Sequence, residues 1–164
     1  MLTFSNTNLV NDTIVQFYFS EKRISSRSVP VGDPIAFSAF TWQNQDNLGL
    51  EQIIKFPHVE LNIGNSFHPA SSVFIAPKAG IYLFSATVLS DGQSASELHA
   101  TIAVNDRNIC IAFGDARKYD QGSQTVVLQL RANDEVFVRV TGYSNVSVYG
   151  STYSSFSGAL LYEM

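Results

Sequence analysis

Acidic and amide oxygens gather in this chain at a spacing that suits a hard cation. The stretch FGDARKYDQGSQ holds Asp115, Asp120 and Gln121 in one loop-like run between apolar segments. Carboxylate and amide oxygens are the donors that calcium takes, six to eight at a time. The competing expectation is a solvated turn whose aspartates balance Arg117 and Lys118. LSDGQSASE offers Asp91 and Glu97 as a second, weaker set, while RANDE carries acids but has the composition of a hairpin turn.

A different chemistry is written into TGYSNVSVYGSTYSSFSG. It carries Tyr143, Asn145, Tyr149 and Tyr153 among serines and glycines. Tyrosine among small polar residues offers a large contact area at little entropic cost. Such loops can stack on a sugar ring and hydrogen-bond its hydroxyls. Packing over the end of a sandwich or between subunits is the alternative role. Asn11-Asp12-Thr13 and Asn145-Val146-Ser147 fit the N-glycosylation triplet, which matters only in a secreted chain.

Signs of catalysis are missing. The sequence has no G-x-S-x-G elbow, phosphate-cradling G-x-x-x-x-G-K, H-E-x-x-H or G-x-G-x-x-G. The single cysteine, Cys110, sits in the apolar run ICIAF, where it reads as a small buried hydrophobe and a poor nucleophile. His58, His68 and His99 are scattered without metal spacing. The expectation is a protein that is not an enzyme. A net charge of −4 argues against nucleic-acid binding, which needs a basic footprint. No segment approaches the roughly 18 apolar residues of a membrane span. MLTFSNTNLVNDT lacks the basic start and apolar run of a secretory signal, leaving open an intracellular chain or a mature form.

The elements that must position these residues are strands. With 164 residues and 45% hydrophobic composition, the chain suits one domain with a sizeable core. Helical periodicity is poor throughout. ELHATIAV alternates, with Leu98, Ala100, Ile102 and Val104 facing one way and Glu97, His99 and Thr101 the other. EVFVRV sets Val136, Val138 and Val140 against Glu135, Phe137 and Arg139. IVQFYF, IAFSAFTW, GIYLFSATVL, ICIAF, TVVLQL, VSVYG and FSGALLYE are further strand candidates, with VNDRN, RANDE and SDGQS as turns. Many short strands with frequent turns predict an all-β antiparallel sandwich or jelly roll. GIYLFSATVL is apolar on both faces, and a second subunit or a larger sandwich must cover the second face. Residues 1–33, with the basic, serine-rich SEKRISSRS, read as a leader or short stem, and 34–164 as the head.

One stretch fixes the arrangement further. In FPHVELNIGNSFHPASSVFIAPKAGIYLF, Phe56 is followed at set intervals by Asn62, Phe67, Phe74, Gly80, Tyr82 and Phe84. This order resembles the signature of the C1q globular-head domain. IAFSAF resembles that family's first core strand, YDQGSQTVVLQLRANDEVFVRV its later strand pair, and SSFSGALLY, with Phe156 and Gly158, its closing strand. The likeness covers about residues 34–164. It departs at Ala86, where the signature carries an aromatic.

The resemblance implies a ten-stranded antiparallel jelly roll, related to tumour-necrosis-factor ligands and assembled as a homotrimer. Phe56, Phe67, Phe74, Tyr82, Phe84 and Phe156 would then be core anchors, each aromatic burying on the order of 150–250 Å². Asn62, Gly64 and Gly80 would fix turns, and the doubly apolar strand would lie near the threefold axis. Several family members hold calcium near the top of the trimer, in the region of Asp115, Asp120 and Gln121 here. A chain that is almost all head is most like the soluble C1q-domain proteins of invertebrate immunity. The resemblance therefore implies a secreted pattern-recognition protein, lectin-like, binding carbohydrate or microbial surface polysaccharide. The alternatives are an adaptor head for a receptor protein and a purely structural trimerisation domain.

Overall fold

The computed structural model describes residues 33–93, 97–115 and 117–164. The expected leader up to residue 32, its strand and the Asn11 triplet lie outside the described residues. The head folds as twelve antiparallel strands. One five-stranded sheet runs in the order β3-β1-β12-β6-β9, formed by His58–Ile63, Ala36–Phe40, Ser155–Glu163, Gly80–Leu89 and Gln121–Leu130. The other runs β4-β5-β10-β7-β8, from Phe67–His68, Val73–Ile75, Glu135–Thr141, Leu98–Val104 and Arg107–Gly114. These ten strands are the jelly roll. A small extra ribbon pairs β2, Gln45–Leu48, with β11, Val146–Val148.

Strict alternation makes β6 the spine. Tyr82, Phe84, Ala86 and Val88 point inward and are fully buried, while Ile81, Leu83 and Leu89 are half-buried outward. Between the sheets the aromatics meet as a group. The Phe37 ring lies 4.6 Å from Phe67, 5.3 Å from Phe74, 5.0 Å from Phe156 and 6.3 Å from Phe84. Phe56 and Tyr82 extend the group through Phe156 and Phe74. Ala86 faces Phe156 in register, so a neighbouring strand supplies a large ring beside the small residue.

The interval between Asn62 and Phe67 has a hydrogen-bonding cause. The Asn62 amide donates to the Phe67 carbonyl at 2.9 Å and accepts its N–H at 3.2 Å, standing in for a ladder residue across the turn. Gly64 takes that turn at φ 85°. Gly80 does something other than fix a turn. It opens β6, and a Cβ there would stand 2.6 Å from the Tyr162 carbonyl oxygen. At Gly158 a Cβ would meet the Phe84 and Phe37 rings at 2.6 and 2.7 Å. These glycines admit close packing.

Three strand readings change. β1 ends at Phe40, because the backbone of Thr41 and Trp42 is taken by the loop at Ser151 and Thr152. Thr101 faces no solvent: it is fully buried and its hydroxyl bonds Thr141 at 2.6 Å. Phe137 is buried too, in a satellite cluster with Val73 and Ala103 that Ile53 and Ile75 cover. The segment 51–54 lies along β10, with Ile54 N–H donating to the Val138 carbonyl, and shields that face. Cys110 is half-buried on β8, and burial raises its thiol pKa.

Replacing Phe84 with Ala removes a ring packed on Phe37, Phe74, Tyr82 and Phe156. Urea denaturation should show a loss of about 3–5 kcal/mol. A loss below about 1 kcal/mol would be that of a peripheral residue.

Candidate functional site

The loops after β6, β8 and β10 and the segment before β12 gather at one end of the sandwich. Two close approaches bring them together. At Gly122 a Cβ would stand 2.3 Å from the Phe113 carbonyl oxygen, so only glycine lets β9 cross β8 this tightly. At Gly150 a Cβ would stand 2.3 Å from the Trp42 carbonyl oxygen. The Gly150 N–H donates to Asn44 Oδ1 at 2.9 Å, and Ser151 and Thr152 follow at φ 51° and 69°. Two consecutive non-glycine residues in the left-handed region, one of them β-branched, are a costly conformation that surrounding contacts must hold.

That strained turn carries an aromatic cluster. The Tyr149 ring lies 5.3 Å from Tyr119, edge to face, and 5.8 Å from Tyr153. Tyr119 and Tyr153 are 62% and 54% exposed in the single chain, so the cluster presents aromatic surface to solvent. Trp42, also 54% exposed, flanks the same turn through its carbonyl, which accepts the Ser151 N–H at 2.8 Å. Its ring stands edge-on to Phe40 and His58.

The four expected ligand-binding residues are divided. Tyr149 and Tyr153 share one cluster. Tyr143 stands apart, its ring 5.5 Å from His99, which in turn neighbours Phe113 and Glu97. Asn145 is an exposed turn residue at φ 61° whose N–H bonds the Leu48 carbonyl. Tyr119 and Trp42 join the end unannounced. Tyr119 was legible only as the neighbour of Asp120, and Trp42 only as the end of a strand pattern.

The acidic loop is built differently from a calcium cage. Asp115 accepts Arg117 Nε at 2.9 Å on one oxygen and Nη2 at 3.1 Å on the other, with Lys118 at 3.8 Å. The Arg117 hydrogen bonds hold the Asp115 carboxyl down to about 2. The order it lends the loop is therefore present above the ordinary carboxylate range and fades as pH falls through about 2. Asp120 Oδ2 caps the Asp115 N–H at 2.9 Å, and the Gln121 amide donates to the Tyr153 carbonyl at 3.1 Å. A hydroxyl fills the loop's centre. Ser90 Oγ, fully buried, donates to the Lys118 carbonyl at 2.6 Å, lies 3.2 Å from that of Asp115, and accepts the Asp120 N–H at 3.1 Å. Asp91, also buried, accepts the Gln93 N–H. Both Asp115 oxygens and one oxygen each of Asp120 and Asp91 are engaged within the protein. Among the described residues no three of His, Cys, Asp and Glu converge on a metal position. As placed, Asp115 is turned to Arg117 rather than to a cation site.

Two five-stranded antiparallel sheets in jelly-roll order define a C1q/TNF-like head. Residues 36–161 match the C1q domain model, and the chain belongs to the C1q domain family. It is 33% identical over 131 residues to heavy metal-binding protein HIP of Mytilus edulis, covering 78% of this chain and 61% of that protein. It is 32% identical over 133 residues to Caprin-2 of Danio rerio, covering 79% of this chain and 14% of that protein. The globular domain of zebrafish complement 1qA shares the fold with a TM-score of 0.64 at 18% identity, over 79% of this chain and 99% of that one. Eiger TNF from S. frugiperda does so at 0.62 and 13%, over 81% and 96%. Domains of this kind are generally binding or structural rather than enzymatic, typically trimerise, and typically occur in secreted proteins. No helix among the described residues is long and apolar enough to cross a membrane.

One buried hydroxyl couples the tyrosine turn to the sheet. Ser154 Oγ donates to the Tyr149 carbonyl at 2.9 Å and accepts the Leu89 N–H at 3.0 Å. Ser154→Ala strands both groups and should cost about 1–3 kcal/mol. Amide exchange at Leu89 should quicken with it. Unchanged exchange there would mean that other contacts hold the turn.

Proposed function

We propose that this chain is a secreted, trimeric recognition head that binds carbohydrate on microbial surfaces, an innate immune function, through the aromatic end built by Tyr119, Tyr149 and Tyr153, with Trp42 beside it. The observation that carries this reading is an exposed tyrosine cluster on a turn held in a strained conformation. Rings fixed in advance lose little freedom when a pyranose stacks on them, and their hydroxyls remain free to bond it. Each such contact is weak. Three copies on one rigid head raise the affinity for a dense array of sugars by several orders of magnitude.

The trimer rests on the outer face of the β6 sheet. The register sets Ile63, Ala36, Ala159, Leu83 and Val127 side by side in one apolar row across all five strands. Leu61, Leu161 and Tyr162 extend it as exposed side chains. The β8 edge exposes Ile111 and Phe113, a second and different apolar surface. A face that receives a neighbour's edge makes a head-to-tail contact, and such contacts close into rings. Val127→Glu, at a position 55% exposed in the single chain, should fold and shift the mass seen by light scattering from three chains to one. A variant that keeps the wild-type mass would remove this row from the interface.

Calcium has no necessary part in this reading, since Asp115 pairs with Arg117 and Lys118 and one Asp120 oxygen caps the Asp115 N–H. The name of the mussel relative points to heavy metals, but the described residues here bring no metal-holding group together. The test is a glycan and bacterial-polysaccharide array, run with calcium and with a chelator. Binding should survive chelation, fall at least tenfold in Tyr149→Ala and Tyr153→Ala, and persist in Tyr143→Ala. Loss on chelation would restore Asp115, Asp120 and Gln121 as ligands. A blank array from trimeric protein would favour a receptor-binding head, and a head with no ligand at all a purely structural one.

A further inference from the structure

We propose a second, separate binding site at the opposite end of the sandwich, where Arg107 and Arg131 flank a polar groove shaped for a sugar acid. The groove has a volume of about 750 Å³ and is lined by the β7–β8 turn, Gln129 and the β9–β10 turn. That volume is within the range of small-ligand clefts. β7 separates the two ends of the domain by its seven residues, about 20 Å.

The groove is preformed. Asn105, at φ 52°, donates its amide to Asp134 Oδ1 at 3.1 Å and accepts the Glu135 N–H on its own carbonyl at 2.9 Å. Asp134 Oδ2 accepts the Arg131 N–H at 2.8 Å. Asn133, at φ 70°, donates its N–H to the Ala76 carbonyl at 2.7 Å. The two turns are thus tied to each other and to the sheet, and the residues they carry keep fixed positions.

The cations are what this architecture leaves unused. Arg117, Arg139, Lys78 and Lys118 all stand in ion pairs, and Lys55 donates to the Ser71 carbonyl. Among the described residues neither Arg107 nor Arg131 has such a partner. Both guanidinium charges act on Asp134, whose carboxyl is held below its ordinary value first by the Arg131 N–H and the Asn105 amide. A guanidinium fork binds a carboxylate through two parallel hydrogen bonds. The lining also holds an acceptor, the Asp106 carboxylate, and the Gln129 amide. Two arginines and two aspartates balance in charge, so a bare anion gains little there. A ligand with one carboxylate and several hydroxyl donors matches both halves, and a hexuronate is the simplest such molecule.

Glucuronate, glucose and sulfate should each be titrated into the wild-type chain, Arg107→Gln and Arg131→Gln, with amide chemical shifts as the readout at one fixed ionic strength. Glucuronate should move Asn105, Asp106, Arg107 and Asp134 saturably, and each substitution should weaken it at least tenfold. Glucose and sulfate should not saturate there. Both positions are exposed, so the melting temperatures should match wild type. Glucuronate shifts absent from these turns, or undiminished in both variants, would overturn the site. Equal saturation by sulfate would overturn its sugar-acid selectivity. The site is separable from the tyrosine end: Tyr149→Ala should bind glucuronate normally, and a blank glycan array for neutral sugars would leave this expectation unchanged.

Discussion

The contact of Phe37 with four other rings is the constraint on which the rest of the domain depends. Phe37 belongs to β1, its partners to β4, β5, β6 and β12, so one ring ties elements from both sheets. Its near-parallel stack on Phe67, 3° between planes, leaves no room between the sheets at that point. Gly158 is required for the same reason, since the Phe84 and Phe37 rings occupy the space a side chain would take. Interiors packed to this density transmit displacement rather than absorb it. The sheets are therefore fixed in separation and offset, and the strand ends are fixed with them.

Fixed strand ends are what a strained loop needs. The left-handed pair Ser151 and Thr152 persists because Thr41 and Trp42 take their N–H groups, Asn44 takes that of Gly150, and Ser154 anchors Tyr149 to Leu89. Each anchor belongs to a residue at or just beyond a strand end. On the facing loop, Ser90 holds the turn between β8 and β9 by a hydroxyl where an ion could have served. The tyrosines are thus displayed by backbone geometry, and the rings themselves contribute little to the loop's order.

The aromatic order from Phe56 to Phe84 was legible because spacing in a jelly roll is set by strand length and turn length, both local. Strand alternation in β6 was legible for the same reason. What escaped the sequence depends on contacts between distant residues. Tyr119 and Tyr149 are 30 positions apart, and only the closure of β8 on β9 and of β12 on β6 makes them neighbours. Thr101 read as a solvent position because its hydroxyl is polar, yet its partner Thr141 lies 40 residues on. Asp115 pairs with Arg117, the charge balance that composition also offered, but the geometry of that pair is one no spacing encodes. Tyr143 and Tyr149 seemed one group because they are close in sequence, but the β11 ribbon between them carries the chain away from His99 toward β12.

The two ends of the sandwich answer different physical demands. At the tyrosine end, aromatic rings stand exposed around a left-handed turn, the chemistry that the proposed stacking of neutral sugars needs. At the other end, hydrogen-bonded asparagine and aspartate turns hold two guanidinium groups that have no ion-pair partner among the described residues, the chemistry that the proposed sugar-acid site needs. A surface polysaccharide offers both chemistries along one chain, since neutral and acidic sugars alternate in many polymers. A head with a stacking end and a charged end separated by about 20 Å can engage such a chain at two points, and each contact raises the effective concentration for the other. In a trimer the same geometry repeats around the axis. On the proposed reading, selectivity would lie in the match between ligand spacing and the fixed length of the strands, and the rigidity imposed by the aromatic core would help set what is recognised.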